Sequence, residues 1–111
     1  MSTMRDITEH VLYEAPDHTM TDAHGNPRTE WEDPIDVGIF EFDPGSTSEP
    51  REGQNRVIVE PTLYMPPDIV LAPAGRVTAR GRLYQVEGET REWRRRGEPI
   101  GNVATLRRVD G

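Results

Sequence analysis

The feature that most constrains this chain is the punctuation of its C-terminal half. Over residues 56–109, short phrases with apolar alternation (RVIVEPTLYMPP, GRVTARGRLYQVEGE and GNVATLRRV) are cut repeatedly by proline and glycine. Successive side chains of a strand point to opposite faces, so such alternation marks half-buried strands. Val57 and Val59 show it, and Leu83 and Val86 sit among polar neighbours in the same way. Proline removes a backbone donor and glycine adds backbone freedom, so neither suits the interior of a long helix. With 10 Gly and 10 Pro in 111 residues, the chain is predicted to be an all-β module rich in turns.

The rest of the chain fits the same reading. ITEHVLYE (7–14) reads as a first strand with Val11 and Tyr13 on one face. Residues 17–31 are turn-rich, and Gly25 and Asn26 before Pro27 predict a chain reversal. IDVGIFEF (35–42) reads as a strand in which Ile35, Val37 and Ile39 alternate before Phe40. DPGSTSEPREGQN (43–55) has no apolar residue besides proline and predicts a long polar loop. The strand from Arg56 meets Pro61, which argues for a bulge or an edge, and resumes at Thr62 until Pro66 and Pro67 end it. PPDIVLAPAG is a proline-bounded connector, and RVTARGRLYQVEG predicts a hairpin turning at Gly81. Residues 90–101 read as a charged loop, and 102–109 as a closing strand with Val103, Leu106 and Val109 as its apolar contacts. Together these give about six short strands in one domain over residues 1–111, a small barrel or sandwich with 43–56 as an extended loop.

Charge narrows the function classes. The net charge is −7, which disfavours indiscriminate binding to DNA. It is unevenly spread: residues 1–68 hold 15 acidic residues against 4 Arg, a net of −11, and residues 69–111 hold 5 against 9, a net of +4. An acidic and a basic surface on one small protein could meet head-to-tail in neighbouring copies; the alternative is two ordinary solvated faces. All 13 basic residues are Arg, a side chain suited to interfaces, although a codon bias gives the same result. There is no Cys and hence no disulfide framework. The N-terminus has no apolar core of signal-peptide length and no stretch approaches a membrane span, so synthesis in the cytoplasm and no membrane partner are expected.

No catalytic constellation emerges, and a non-enzymatic role without cofactor is expected. His10, His18 and His24 stand at spacings that no common zinc motif uses. Ser46, Thr47 and Ser48 have no histidine in a nucleophile-elbow context. Glu30 with Glu32, and Glu87 with Glu89, could be drawn as acid/base pairs, but in a chain with 20 acidic residues such pairs arise by chance. Arg94, Arg95 and Arg96 follow Trp93 directly. Such a group can grip phosphate or stack on a base, as in an OB-like nucleic-acid-binding barrel. It can also pair with a partner's acidic patch, with Trp93 as a buried anchor, and the net charge favours a protein partner.

Five elements occur in a telling order: HGNPRTEW (24–31), GSTSEPREG (45–53), VIVEPTLYMPPD (57–68), GRVTARGRLYQVEGETREW (75–93) and VATLRRVDG (103–111). In them the chain resembles the head-to-tail stopper, or head-closure, proteins of long-tailed bacteriophages, particularly the actinobacteriophage type. The resemblance implies a β-barrel protomer in a homo-oligomeric ring at the virion neck. Portal and adaptor proteins would lie above it, and the tail terminator and tail tube below. The ring would close the DNA channel after packaging, with DNA in the lumen but no sequence-specific binding. It also implies a channel-gating loop at Asp43, Gly45, Ser46, Thr47, Ser48, Glu49, Arg51, Glu52 and Gly53. Interface candidates are Trp93, Arg94, Arg95, Arg96, Arg107 and Arg108.

Overall fold

The computed structural model describes residues 6–19, 21–26, 28, 30–48 and 57–109, and over them the chain is all-β. The strands in chain order are β1 (Glu9–Glu14), β2 (Pro16–Asp17), β3 (Glu30–Trp31), β4 (Ile35–Ile39), β5 (Glu41–Asp43), β6 (Ser46–Ser48), β7 (Val57–Val59), β8 (Thr62–Met65), β9 (Arg76–Ala79), β10 (Arg82–Arg95) and β11 (Glu98–Arg108). Seven of them form one antiparallel sheet in the order β4-β1-β9-β10-β11-β8-β5, while β2 pairs with β3 and β6 with β7.

The two edge strands of the large sheet are neighbours in sequence, separated only by Phe40. Residues 35–43 are in effect one strand bent at Phe40. Its first half pairs with β1, placing Val37 opposite Val11, and its second half pairs with β8, placing Phe42 opposite Leu63. A sheet whose first and last strands lie one residue apart must curl until its edges approach. Among the described residues no ladder joins β4 to β5, so the sheet is curled and barrel-like but not closed by hydrogen bonds, and the covalent chain at Phe40 spans the gap. The backbone groups released at the bend find other partners. Phe40 N–H donates to the Tyr64 carbonyl at 2.8 Å and Thr8 N–H to the Ile39 carbonyl at 3.1 Å, while the Thr8 hydroxyl donates to the Phe40 carbonyl. Ile35 lies at the end of the bent strand and is 57% exposed rather than inward.

Alternate residues of each long strand fill the interior: Val11 and Tyr13, Val37 and Ile39, Leu63 and Met65, Val77 and Ala79, Tyr84 and Val86, Ala104 and Leu106. The period of two places Val103 on the opposite face from Leu106, so Val103 is a half-buried residue of the outer face and Ala104 takes the inward place. The 66–75 connector plugs one end of the barrel with Leu71, which is 1% exposed. Three side chains hold its backbone. The Thr90 hydroxyl accepts from Leu71 N–H at 3.0 Å and donates to the Leu71 carbonyl at 2.7 Å. Ala72 N–H donates to the Tyr13 hydroxyl at 2.9 Å, and the buried Asn102 amide donates to the Ile69 carbonyl at 2.7 Å.

The sequence reading of 90–101 as a charged loop does not hold. β10 continues to Arg95, turns at Arg96-Gly97, and returns as β11 from Glu98. Both turn residues have positive φ, 52° and 79°, as a type I′ hairpin turn requires. Arg80 and Gly81 do the same between β9 and β10, with φ of 50° and 77°. A hairpin satisfies its backbone across the pair and needs no apolar run, so periodicity alone does not reveal it. The strands outnumber the six read from the sequence because two runs are divided, at Phe40 and at Glu60–Pro61, and because β2, β3 and β6 form in stretches read as turn or loop.

At the other end of the barrel, Arg80 holds Glu9 in a two-pronged contact, Nε to Oε2 at 2.8 Å and Nη2 to Oε1 at 2.9 Å. The hydrogen bonds from Arg80 hold the Glu9 carboxyl below its ordinary value of 4.5. The folded chain therefore takes up this proton less readily than the unfolded chain. The pair's contribution is complete above the ordinary value and is lost as pH falls through the lower, folded one. Glu9→Gln should reduce stability at pH 7 by less than about 1 kcal/mol, and the gap to wild type should close below pH 4.5 in urea titrations. By contrast Leu106→Ala, at a position with no exposure, should cost about 2–5 kcal/mol at any pH.

Candidate interaction surfaces

The β10–β11 hairpin outgrows the barrel. Glu87 faces Thr105, yet Arg91 faces Val103, so four steps on β10 match two on β11. Gly88, at φ 70°, sits at the start of this bulge, and bulges of this kind bend and twist a ribbon. From Glu87 outward most side chains are exposed. Trp93 is an exception, half-buried with its ring edge-to-face on Tyr64 at 6.4 Å. Its cross-strand partner is Gly101, where a Cβ would lie 2.8 Å from the Met65 carbonyl oxygen. Glycine thus permits the close approach of β8 beneath the tryptophan. Arg94 is exposed and bonds Glu92 and, at 2.9 Å, the Gly97 carbonyl along the hairpin, while Arg95 and Arg96 are exposed at the tip. Trp93 through Arg96 therefore share one arm, with Trp93 engaged against its own chain.

The opposite end carries a second ribbon. The Asp43 carboxylate at the end of β5 accepts Gly45 N–H at 2.9 Å, and Gly45 turns the chain at φ 78°. Ser46, Thr47 and Ser48 then pair with Val59, Ile58 and Val57. The sequence reading made these three residues part of a loop; they are a strand because the β-branched run VIV offers them a partner. Glu49, Arg51, Glu52 and Gly53 lie outside the described residues.

At the root of this ribbon is a cleft of about 350 Å³ lined by Phe42, Pro44, Pro61, Arg80, Arg82, Tyr84 and Arg108. Phe42 and Tyr84 form its floor, edge-to-face at 5.5 Å, and the Arg80 guanidinium stands 5.0 Å over the Phe42 ring. Of the two terminal arginines singled out by sequence, only Arg108 reaches this cleft. Arg107 bonds Gln85 at 2.9 Å and lies 3.5 Å from Glu87 on the outer face of the sheet. Sequence reasoning missed Arg80 and Arg82; their position astride the Gly81 turn was the available signal.

The remaining candidates are dispersed. His10 Nδ1 lies 2.9 Å from an Asp36 carboxylate oxygen, Glu30 pairs with Arg28, and Trp31 donates to the Ala74 carbonyl at 3.0 Å beneath the Arg76 guanidinium. Among the described residues no three His, Cys, Asp or Glu side chains gather as a metal site, and no helix is long and apolar enough to cross a membrane.

No family model matches the chain, and no curated protein matches it significantly. Among solved structures, it is similar to the phage-like element PBSX protein xkdH of Bacillus subtilis, with 14% identity, a TM-score of 0.48, and coverage of 87% of this chain and 91% of that one.

Thr90 sits where the long hairpin leaves the barrel, and its hydroxyl serves both polar groups of Leu71. Thr90→Val should remove both bonds at nearly constant volume and destabilise the chain by about 1–3 kcal/mol. Hydrogen exchange should show the Leu71 amide and residues 88–101 losing protection ahead of β9.

Proposed function

We propose that this chain is a structural subunit of a bacteriophage virion, a non-enzymatic head-to-tail stopper that forms a ring at the neck. In this role it closes the DNA channel after packaging and offers a docking surface to the tail. The ordered motifs described above motivate the reading. The observation that carries it is a curled, barrel-like sheet with ribbons at opposite ends, one leading into the polar segment 45–53 and the other tipped by Arg95 and Arg96. A ring subunit needs neighbour contacts on both sides and a segment that can reach the bore. The barrel supplies a rigid body for both, and the outer part of the β10–β11 ribbon lies outside the core.

In the ring, the segment between β6 and β7 of each copy meets its equivalents and narrows the channel. Carboxylates there repel the phosphate backbone and keep DNA from adhering. Opening requires rearrangement of these ribbons, not unfolding of the barrel.

Particles made without this protein should package DNA, then leak it and fail to join tails. Replacing residues 45–53 with a short Gly-Ser link should leave the melting of the isolated chain nearly unchanged while tailless heads lose DNA. Retention equal to wild type would exclude this segment as the gate, and stable tail-bearing particles lacking the protein would exclude the role itself.

A further inference from the structure

We infer that the cleft between Arg80, Arg82 and Arg108 is a socket for the acidic segment 32–35 of a second copy of this chain. The inference rests on the ring reading and names the contact that would build it.

The cleft is unbalanced in charge. Arg80 is matched by Glu9, but among the described residues no carboxylate pairs with Arg82 or Arg108. Its walls are aromatic rings and prolines, which are stiff and apolar. A fitting occupant carries carboxylates beside a compact apolar group. Carboxylates suit guanidinium forks, and the apolar group covers the Phe42–Tyr84 floor.

The segment Glu32-Asp33-Pro34-Ile35 has that composition. Its residues are all exposed, with Ile35 at 57%, and among the described residues neither Glu32 nor Asp33 has an ionic partner. It is also held in place. Glu32 N–H donates to the Ala15 carbonyl at 2.8 Å and Ile35 pairs with Tyr13, while Pro34 restricts the backbone between them. A segment ordered in advance loses little entropy on docking.

Position makes the contact intermolecular. Ile35 faces Tyr13 at the end of β1, whereas Glu9, at its start, holds Arg80 beside the cleft. Socket and segment therefore lie at opposite ends of the barrel, and the same contact repeated from copy to copy is head-to-tail, the kind that closes into rings. Residues 1–68 carry a net charge of −11 and residues 69–111 one of +4, so the acidic segment of one copy meets the basic part of the next with complementary charge.

The chain has no cysteine, so disulfide trapping tests the contact without background. Pro34→Cys and Pro44→Cys place thiols on the segment and on the rim of the socket while leaving every charge intact. Mixed and oxidised, the two chains should give a heterodimer in about tenfold excess over either homodimer. Adding Arg82→Glu with Arg108→Glu to the Pro44→Cys chain should abolish the excess, and adding Glu32→Arg with Asp33→Arg to the other chain should restore it. Circular dichroism verifies folding of each variant, and sedimentation of the cysteine-free charge variants gives an independent readout. No excess of heterodimer overturns the socket. If the wild-type chain still self-associates, the ring reading stands; if it stays monomeric at millimolar concentration, that reading is weakened as well. Salt-sensitive binding of duplex DNA that is lost on Arg82→Glu with Arg108→Glu would overturn the socket in favour of a phosphate site.

Discussion

The bent strand 35–43 is the constraint on which the rest of the molecule depends. Because β4 and β5 are separated only by Phe40 and yet lie at opposite edges of the sheet, the other five strands of that sheet must wrap around between them. Every inward side chain of those strands then faces the same interior, which is how a chain with only 33% hydrophobic residues assembles one continuous core. The seam is held by hydrogen bonds from Thr8 and Phe40 and by side-chain packing, not by a ladder of its own. A sheet curled in this way brings its two edges together with few residues, which suits a domain of this length.

Closure at the two ends is asymmetric. One end is plugged by Leu71, whose connector is tied down through Thr90, Tyr13 and Asn102. Those ties let the β10–β11 hairpin project from a firm base while its outer part stays polar. The other end is only partly filled, by Phe42 and Tyr84, and is ringed by arginines. The chain thus places its rigid, saturated chemistry at the root of one arm and its unsaturated charge at the root of the other. The inferred socket and the proposed ring both draw on that unsaturated end.

Much of the strand order was legible from alternation and punctuation. Val11 and Tyr13 were read as one face and are both buried; Pro66 and Pro67 were read as a stop, and β8 ends at Met65. The Gly81 hairpin was visible because an Arg-Gly pair sits between two alternating runs. The equivalent turn at Arg96-Gly97 was hidden by its charged flanks, since the hairpin there is held by cross-strand backbone bonds rather than by burial. The interior role of Leu71 was equally invisible: a connector residue has no periodicity to betray it, and only Thr90, distant in sequence, fixes it. The cleft was illegible for a similar reason. Arg82 and Arg108 become neighbours only through the pairing of β10 with β11, and the sequence reading stressed Arg94 to Arg96 because they are consecutive. Glu32 to Pro34 fell between the turn-rich stretch and the strand, and Ile35 was read as the first alternating residue of that strand; its exposure follows from its place at the end of the bend.

The order of strands also has a kinetic side. The β9-β10-β11 meander joins segments through two-residue turns, so little chain entropy opposes its formation. β1, in contrast, must find its place between β4 and β9, and its tie from Glu9 to Arg80 spans 71 residues. Folds dominated by such distant pairings form slowly for their size. The meander is therefore the natural early structure, with the N-terminal strand and the bent strand arriving late to seal it. Until they arrive, the flanks of β9 and of β8 are open edges, and newly made copies at high concentration are exposed to strand exchange at those two positions.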